Sequence, residues 1–281
     1  MHTPASLKHS ESPHCKNCKL ASLCLPLALG SDDVSALNAI VKRERPLRKG
    51  DSLFRQGDAF TSIYVIRSGA LKTSSINVNG EEHIIGFHLP GELIGLSGMD
   101  INTYACTAQA QETTTVCEIP FDQLEALLEK IPQLRRQLIN LMSREIRDDH
   151  KMMRMLAQKN AHERLATFLV DLSGRFHANG YSARQFRLNM TRDEIANYLG
   201  IATETTCRSF TLLQQQGLTD WLLIEGRTAV GGRILSEPAA DACAALNPAS
   251  KRSCSGLEWR RLATTVNGWP GSSTSRRLFT M

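Results

Sequence analysis

Between Pro46 and Pro120 short apolar runs alternate with polar residues and are cut by glycines: "KGDSLFRQGDAFTSIYVIRSGALKTSSINVNGEEHIIGFHLPGELIGLSG". Strands of that length with turns about every 8–12 residues predict an antiparallel jelly-roll barrel or sandwich. Asn79-Gly80, between "LKTSSINV" and "EEHIIGFHL", is the strongest short-range hairpin signal a sequence offers. A generic β-sandwich with no ligand fits the same pattern. Just ahead, "SDDVSALNAIVKRE" predicts an amphipathic helix with Ser31 as N-cap, acids in its first turn, and Val34, Leu37 and Val41 on one face.

After Pro120 the periodicity becomes helical, with Pro132 suited to the first turn of a renewed segment. Ile139, Met142, Ile146, Asp149, Met153 and Leu156 follow a 3-4-3-4-3 spacing. That is the seam of a two-helix coil, so a homodimer through this helix is expected. A single helix buried against its own barrel is the plainer alternative. Asp149 does not belong in such a seam, because two-fold symmetry brings two carboxylates together at a cost. The spacing therefore describes a dimer set to be marginal, unless Asp149 reaches out to water from the seam edge.

"AHERLATFLVDLSGRFHA" predicts a helix over 161–178, followed by "RQFRLNMTRDEIANYLGIATETTCRSFTLLQQQGL". There Thr191 and Glu194 form a capping box. Ile195, Ala196 and Leu199 give an apolar face, and Gly200 permits a turn into a second helix from about Thr203 to Gln216. Two short helices across such a turn make a helix-turn-helix, whose second helix enters the major groove. Its exposed positions are Glu204, Thr205, Cys207 and Arg208. Arginine pairs bidentately with guanine and glutamate accepts from cytosine. Glu204 and Arg208 are also spaced as a plain surface ion pair.

Three of the eight cysteines lie in "HCKNCKLASLC", residues 14–24. The pattern allows disulfide partners, zinc ligands, or most of an iron–sulfur site lacking its fourth thiol. The N-terminus has no basic-then-apolar signal region, and no apolar run reaches the length of a transmembrane helix. A cytoplasmic protein without a membrane segment is expected, and reduced thiols there favour metal over disulfides. Cys106, Cys207, Cys243 and Cys254 are isolated and read as ordinary packing or surface thiols.

The net charge of +5 says little about partners. From Asp220 onward eight basic residues face five acidic ones, a net +3. The same tail holds all three tryptophans and seven arginines to one lysine. "LLIEGRTAVGGRILS" fits a hairpin wing with Gly231-Gly232 in or near its turn; beyond Pro238 no element is evident. The abrupt change in composition motivates the hypothesis that part of the tail is a shifted-frame reading of its gene, which the coding DNA would settle.

Taken in order, "KGDSLFRQGD", "IYVIRSG", a long dimer helix and a C-terminal helix-turn-helix resemble the cyclic-AMP receptor family of transcription regulators. Within it, "HCKNCKLASLC", the lone cysteine of "TTTVCEIPF", "GFHLPGELIG", "FRLNMTRDEIANYLG" and "ETTCR" are similar to the oxygen-sensing fumarate-and-nitrate-reductase regulator branch. The match covers about residues 14–218. It implies an α+β fold: a cysteine-bearing iron–sulfur arm (1–30), a cyclic-nucleotide-binding-like jelly-roll sensory domain (31–120), a dimerisation helix (121–158), a winged helix-turn-helix (159–235) and an atypical tail read as disordered (236–281). The resemblance further implies that Cys15, Cys18, Cys24 and Cys117 ligate a [4Fe–4S] cluster. It implies that Glu204 and Arg208 read bases in palindromic promoter DNA, and that RNA polymerase is a partner. The family's recognition motif usually has Ser where this chain has Cys207, a poorer hydrogen-bond donor. Gly91-Glu92 matches the cyclic-nucleotide branch, but "NTYACTAQAQE" lacks the arginine that would meet a phosphodiester, so no cyclic nucleotide is expected. Neither a dinucleotide fingerprint nor an acid–base constellation accompanies the cysteines, which argues against an enzyme. Lys19, beside the second ligand, is a candidate cation for an anionic cluster.

Overall fold

The computed structural model describes residues 14–216 except 28 and 44, together with strands at 221–224 and 227–230. The first thirteen residues, Gly231-Gly232, and the whole 236–281 reading with Cys243, Cys254 and the frameshift hypothesis lie outside the described residues.

A 3-10 turn at Cys15–Asn17 opens the described arm, and α1 follows at Ser31–Ile40. The barrel strands are β1 (Ser52–Phe54), β2 (Ser62–Ser68), β3 (Leu71–Ile76), β4 (Glu82–His88), β5 (Leu93–Ile94), β6 (Thr107–Ala110) and β7 (Thr115–Pro120). They form two antiparallel sheets, β1-β6-β3-β4 and β5-β2-β7. Phe54, Leu71, Ala108 and Ala110 of the first sheet pack against Ile66, Ile94 and Val116 of the second, which makes a sandwich interior.

The smaller sheet is buried on both faces. Val116 points into the sandwich, whereas Cys117, Ile119, Ile63 and Val65 face outward into a second core with Leu25, Leu37, Leu124, Leu134, Leu138 and Leu141. The strand period of two sorts them so, and the register pairs Val65 with Cys117 and Ile63 with Ile119. That second core is where the arm meets the helices.

Helices α2 (Phe121–Lys130) and α3 (Pro132–Gln158) are separated by Ile131, with Pro132 at the first turn of α3. Next come α4 (Ala161–Ala178), β8 (Phe186–Arg187), α5 (Arg192–Leu199), α6 (Thr203–Gln215), β9 (Trp221–Ile224) and β10 (Arg227–Val230). The capping box of α5 is present, as Thr191 Oγ1 accepts from Glu194 N at 3.1 Å and Glu194 Oε2 accepts from Thr191 N at 2.7 Å. A second capping box, Asn160 with Glu163, starts α4. Gly200 ends α5 at φ 61°, a left-handed conformation that glycine takes without a side-chain clash.

Three local expectations are corrected. Ser31 is the first helical residue of α1 rather than its cap; Gly30 occupies the cap position, and the Ser31 hydroxyl turns to Asp32. The helix also stops at Ile40, because Lys42 leaves it to bridge Glu118 of β7. The β3–β4 hairpin forms, but its reversal is wider than Asn79-Gly80. The Asn77 side chain accepts from the Asn79 and Glu81 amides, so the turn is organised from Asn77. In the wing, β9 and β10 pair antiparallel, with Arg227 opposite Ile224. β8 joins them to make a three-stranded sheet, β8-β10-β9.

Candidate functional site: a four-thiol pocket and a recognition helix

Cys15, Cys18, Cys24 and Cys117 line one pocket with a cavity of about 30 Å3, open in part to solvent. Leu20, Ala21, Leu25, Leu37, Val41, Val65 and Ile119 supply most of its remaining wall. The arm is held there by its own chemistry. Leu25 is fully buried in the outer core, and truncating such a leucine to alanine costs about 2–5 kcal/mol. Gly91, at φ 89°, lets the arm close in, since a Cβ there would stand 3.1 Å from Leu23 Cβ. Gln137 of α3 donates to the Cys24 carbonyl at 3.3 Å.

All six described cysteines are free thiols in this structure. Burial pushes Cys24 up to about 12. It raises Cys15 and Cys117 as well, and at both the Arg43 guanidinium opposes the shift. The buried thiols are thus held in the protonated form, and a metal group would displace those protons on entering. Among the described residues no three His, Cys, Asp or Glu side chains form a group that could hold a metal ion. A tetrahedral zinc needs its sulfurs about 3.8 Å apart. Four thiols on one pocket match in number the donor set of a cubane iron–sulfur cluster, and equally that of a four-cysteine zinc site. Cys106, by contrast, is buried in the sandwich core and pushed up to about 11, as a packing thiol should be.

Sequence reasoning missed the polar residues that fix the arm. Asn38 Oδ1 accepts from the Cys15 amide at 3.1 Å and from Arg43 at 2.7 Å. Arg43 in turn donates to Cys15 Sγ at 3.7 Å. Lys19 is exposed and does not line the pocket. Only the adjacency of Arg43 to the start of the barrel hinted at its place.

On α3 the inward face is Leu134, Gln137, Leu138, Leu141 and Met155. Ile139, Ile146 and Met153 are more than half exposed, Asp149 is exposed, and Met142 and Leu156 are half-buried. Ile139, Ile146, Asp149 and Met153 therefore lie away from the barrel, whereas Met142 packs against the outer core. Desolvation, and then Asp148, raise Asp149 above its ordinary value.

On α6 the buried face is Thr206, Ser209, Phe210 and Leu213. Glu204 and Arg208 are exposed and paired with each other, while Thr205 and Cys207 are half-buried. Ser209 meets His162 of α4 at 2.8 Å, and Arg192 lies 4.1 Å over the Phe210 ring.

The helical region is pinned to the barrel. Arg175 of α4 bonds Glu92 through Nε at 2.9 Å and Nη2 at 2.7 Å and also reaches the Phe87 carbonyl. Burial opposes the Arg175 charge, but Glu92 more than compensates and raises its pKa. Glu92 thus finds a cation from α4. Asn197 of α5 accepts from the Ile84 amide at 2.7 Å and donates to the Glu82 carbonyl at 2.8 Å. Lys72 bridges Glu82 at 3.2 Å and Glu194 at 3.3 Å.

Among the described residues no helix is long and apolar enough to cross a membrane. Residues 44–131 match the cyclic nucleotide-binding domain family, and residues 163–228 match the Crp-like helix-turn-helix domain family. The chain is 64% identical over 205 residues to the transcriptional activator protein anr of Pseudomonas aeruginosa, covering 73% of this chain and 84% of that one. It is 43% identical over 233 residues to the fumarate and nitrate reduction regulatory protein of Salmonella typhimurium, covering 83% and 90%. Among solved structures, FixK2 from Bradyrhizobium japonicum aligns with a TM-score of 0.61 at 27% identity, covering 69% of this chain and 93% of that one.

Proposed function

The chain belongs to the Crp/Fnr family of transcription regulators, and we propose that it is an oxygen-responsive member, cytoplasmic, that activates or represses anaerobic-metabolism genes. It is a regulator, as its relatives are, and not an enzyme. The observation that carries the oxygen response is the convergence of Cys15, Cys18, Cys24 and Cys117 on one pocket beside the core of α3.

Those four thiolates would hold a [4Fe–4S] cluster, which supplies a crosslink between arm and barrel that is labile to oxygen. The chain's own residues carry the consequence. Leu25 and Gln137 couple the order of the arm to α3. Two copies pair along Ile139, Met142, Ile146, Asp149, Met153 and Leu156, opposed by the facing Asp149 carboxylates. Paired copies set two α6 helices on the half-sites of a palindromic promoter, where Glu204, Thr205, Cys207 and Arg208 face the bases. RNA polymerase is the downstream partner. Because each half-site alone binds weakly, a modest bias towards the dimer becomes a large change in occupancy.

The test is an anaerobic visible spectrum of the purified chain, with iron and sulfide analysis. A broad brown absorption that bleaches in air is expected. A colourless protein carrying zinc would instead mean a zinc-stabilised regulator of the same fold that senses another signal.

A further inference from the structure

Arg43 sits where a positive charge needs an explanation. It lies one residue beyond the two-way bridge between Lys42 and Glu118, whose backbones exchange hydrogen bonds at 2.8 and 2.9 Å. That antiparallel bridge sets Arg43 beside β7 at the level of Cys117. Its Nη2 reaches Cys15 Sγ at 3.7 Å and Asn38 Oδ1 at 2.7 Å. Its Nε is buried with no hydrogen-bond partner. Guanidinium stays charged in any protein, and a buried donor left unpaired is costly. A neutral thiol is a weak acceptor for such a group; an anion in the neighbouring pocket is a strong one. The pocket wall is mostly aliphatic, and its charged lining residue is the half-buried Arg67 of β2, which bears on Cys117; Arg43 is the cation that reaches Cys15.

Four thiolates around a doubly positive iron–sulfide core leave the site net negative. Resting on the cluster reading of the four cysteines, we propose that Arg43 balances charge on the Cys15 side of that site: fixed by Asn38, it sets the guanidinium against the cysteine-bound group and slows its loss in air. The direction follows from electrostatics. Transfer of one electron from the core to dioxygen, giving superoxide, makes the site less negative by one charge. A fixed neighbouring cation favours the more negative side and so opposes that transfer.

The test compares the full chain with Arg43→Gln and Arg43→Lys, all purified without oxygen. Iron and sulfide per chain are measured first, then the decay of visible absorption after mixing with air-saturated buffer. Arg43→Gln should load normally and bleach about tenfold faster than wild type, the lower end of the effect of losing an outer partner of a metal site. Arg43→Lys, which keeps the charge and loses the fork, should stay within about twofold of wild type. Wild-type bleaching in Arg43→Gln overturns the proposal, as does equal acceleration in both variants, which would make the fork and not the charge responsible. If Arg43→Gln takes up no iron, restored loading in Arg43→Lys supports the charge role and failed loading there overturns it. A wild-type chain holding no iron or sulfide refutes the cluster reading itself, in an arm separate from the variants, and the proposal with it.

Discussion

Single side chains set much of this molecule's behaviour, and His88 shows how. Its Nε2 meets Thr73 Oγ1 at 2.9 Å and its Nδ1 lies 3.8 Å from Glu92. Burial pushes its pKa down to about 4, against the pull of Glu92. The folded state therefore holds His88 neutral where the unfolded chain, titrating near 6.5, would take up a proton. Stability from this group is complete above about pH 6.5 and is lost as pH falls towards 4. By pH 5 the loss is roughly 2 kcal/mol. Urea unfolding of His88→Gln at pH 7.5 and pH 5 should show the gap between the two shrinking by about that amount relative to wild type. Residues of this kind were not legible in the sequence. Arg175 and Glu92 are 83 positions apart, and Gln137 and Cys24 are 113 apart. Nothing local distinguishes them from surface polar residues until the fold brings them together.

Elements were far more legible, because their signals are local. Thr191-x-x-Glu194 is a capping box wherever it stands before a helix, and Pro132 opens α3 for the reason prolines usually do. The errors came where a neighbour outbid the expected residue: Gly30 for Ser31, Asn77 for Asn79, and Lys42 leaving α1 to bridge a strand. The cysteine pocket lies between these cases. The arm's three thiols were visible by spacing, but only the outward face of β7 explains why Cys117 joins them. On α3 the exposed Ile139, Ile146 and Met153 flank Asp149. Removing that carboxylate should let the seam close without the arm's help. Asp149→Ala is expected to sediment as a dimer and to shift palindromic promoter DNA in air. An aerobic gel shift no stronger than that of wild type would refute the role given to Asp149.

At the scale of the whole molecule, the helical region is held on the sensory barrel by the packing of Phe87 against Phe168 and Tyr198 and by polar contacts of long reach. Arg175–Glu92, Lys72–Glu194 and Asn197 on β4 are among the polar ones. Asn197→Ala should lower the hydrogen-exchange protection of the Ile84 amide and cost about 0.5–1.5 kcal/mol, the range for a hydrogen bond whose partners water can reach. β4 is the outer strand of its sheet, and the Asn197 amide imitates one residue of a further strand by satisfying the Ile84 amide and the Glu82 carbonyl. Whenever the helical domain swings away, that edge is bare, with Ile85 already exposed beside it. Freedom to move the DNA-reading helices thus carries a solubility cost, because the same motion that releases them uncovers a template for edge-to-edge aggregation.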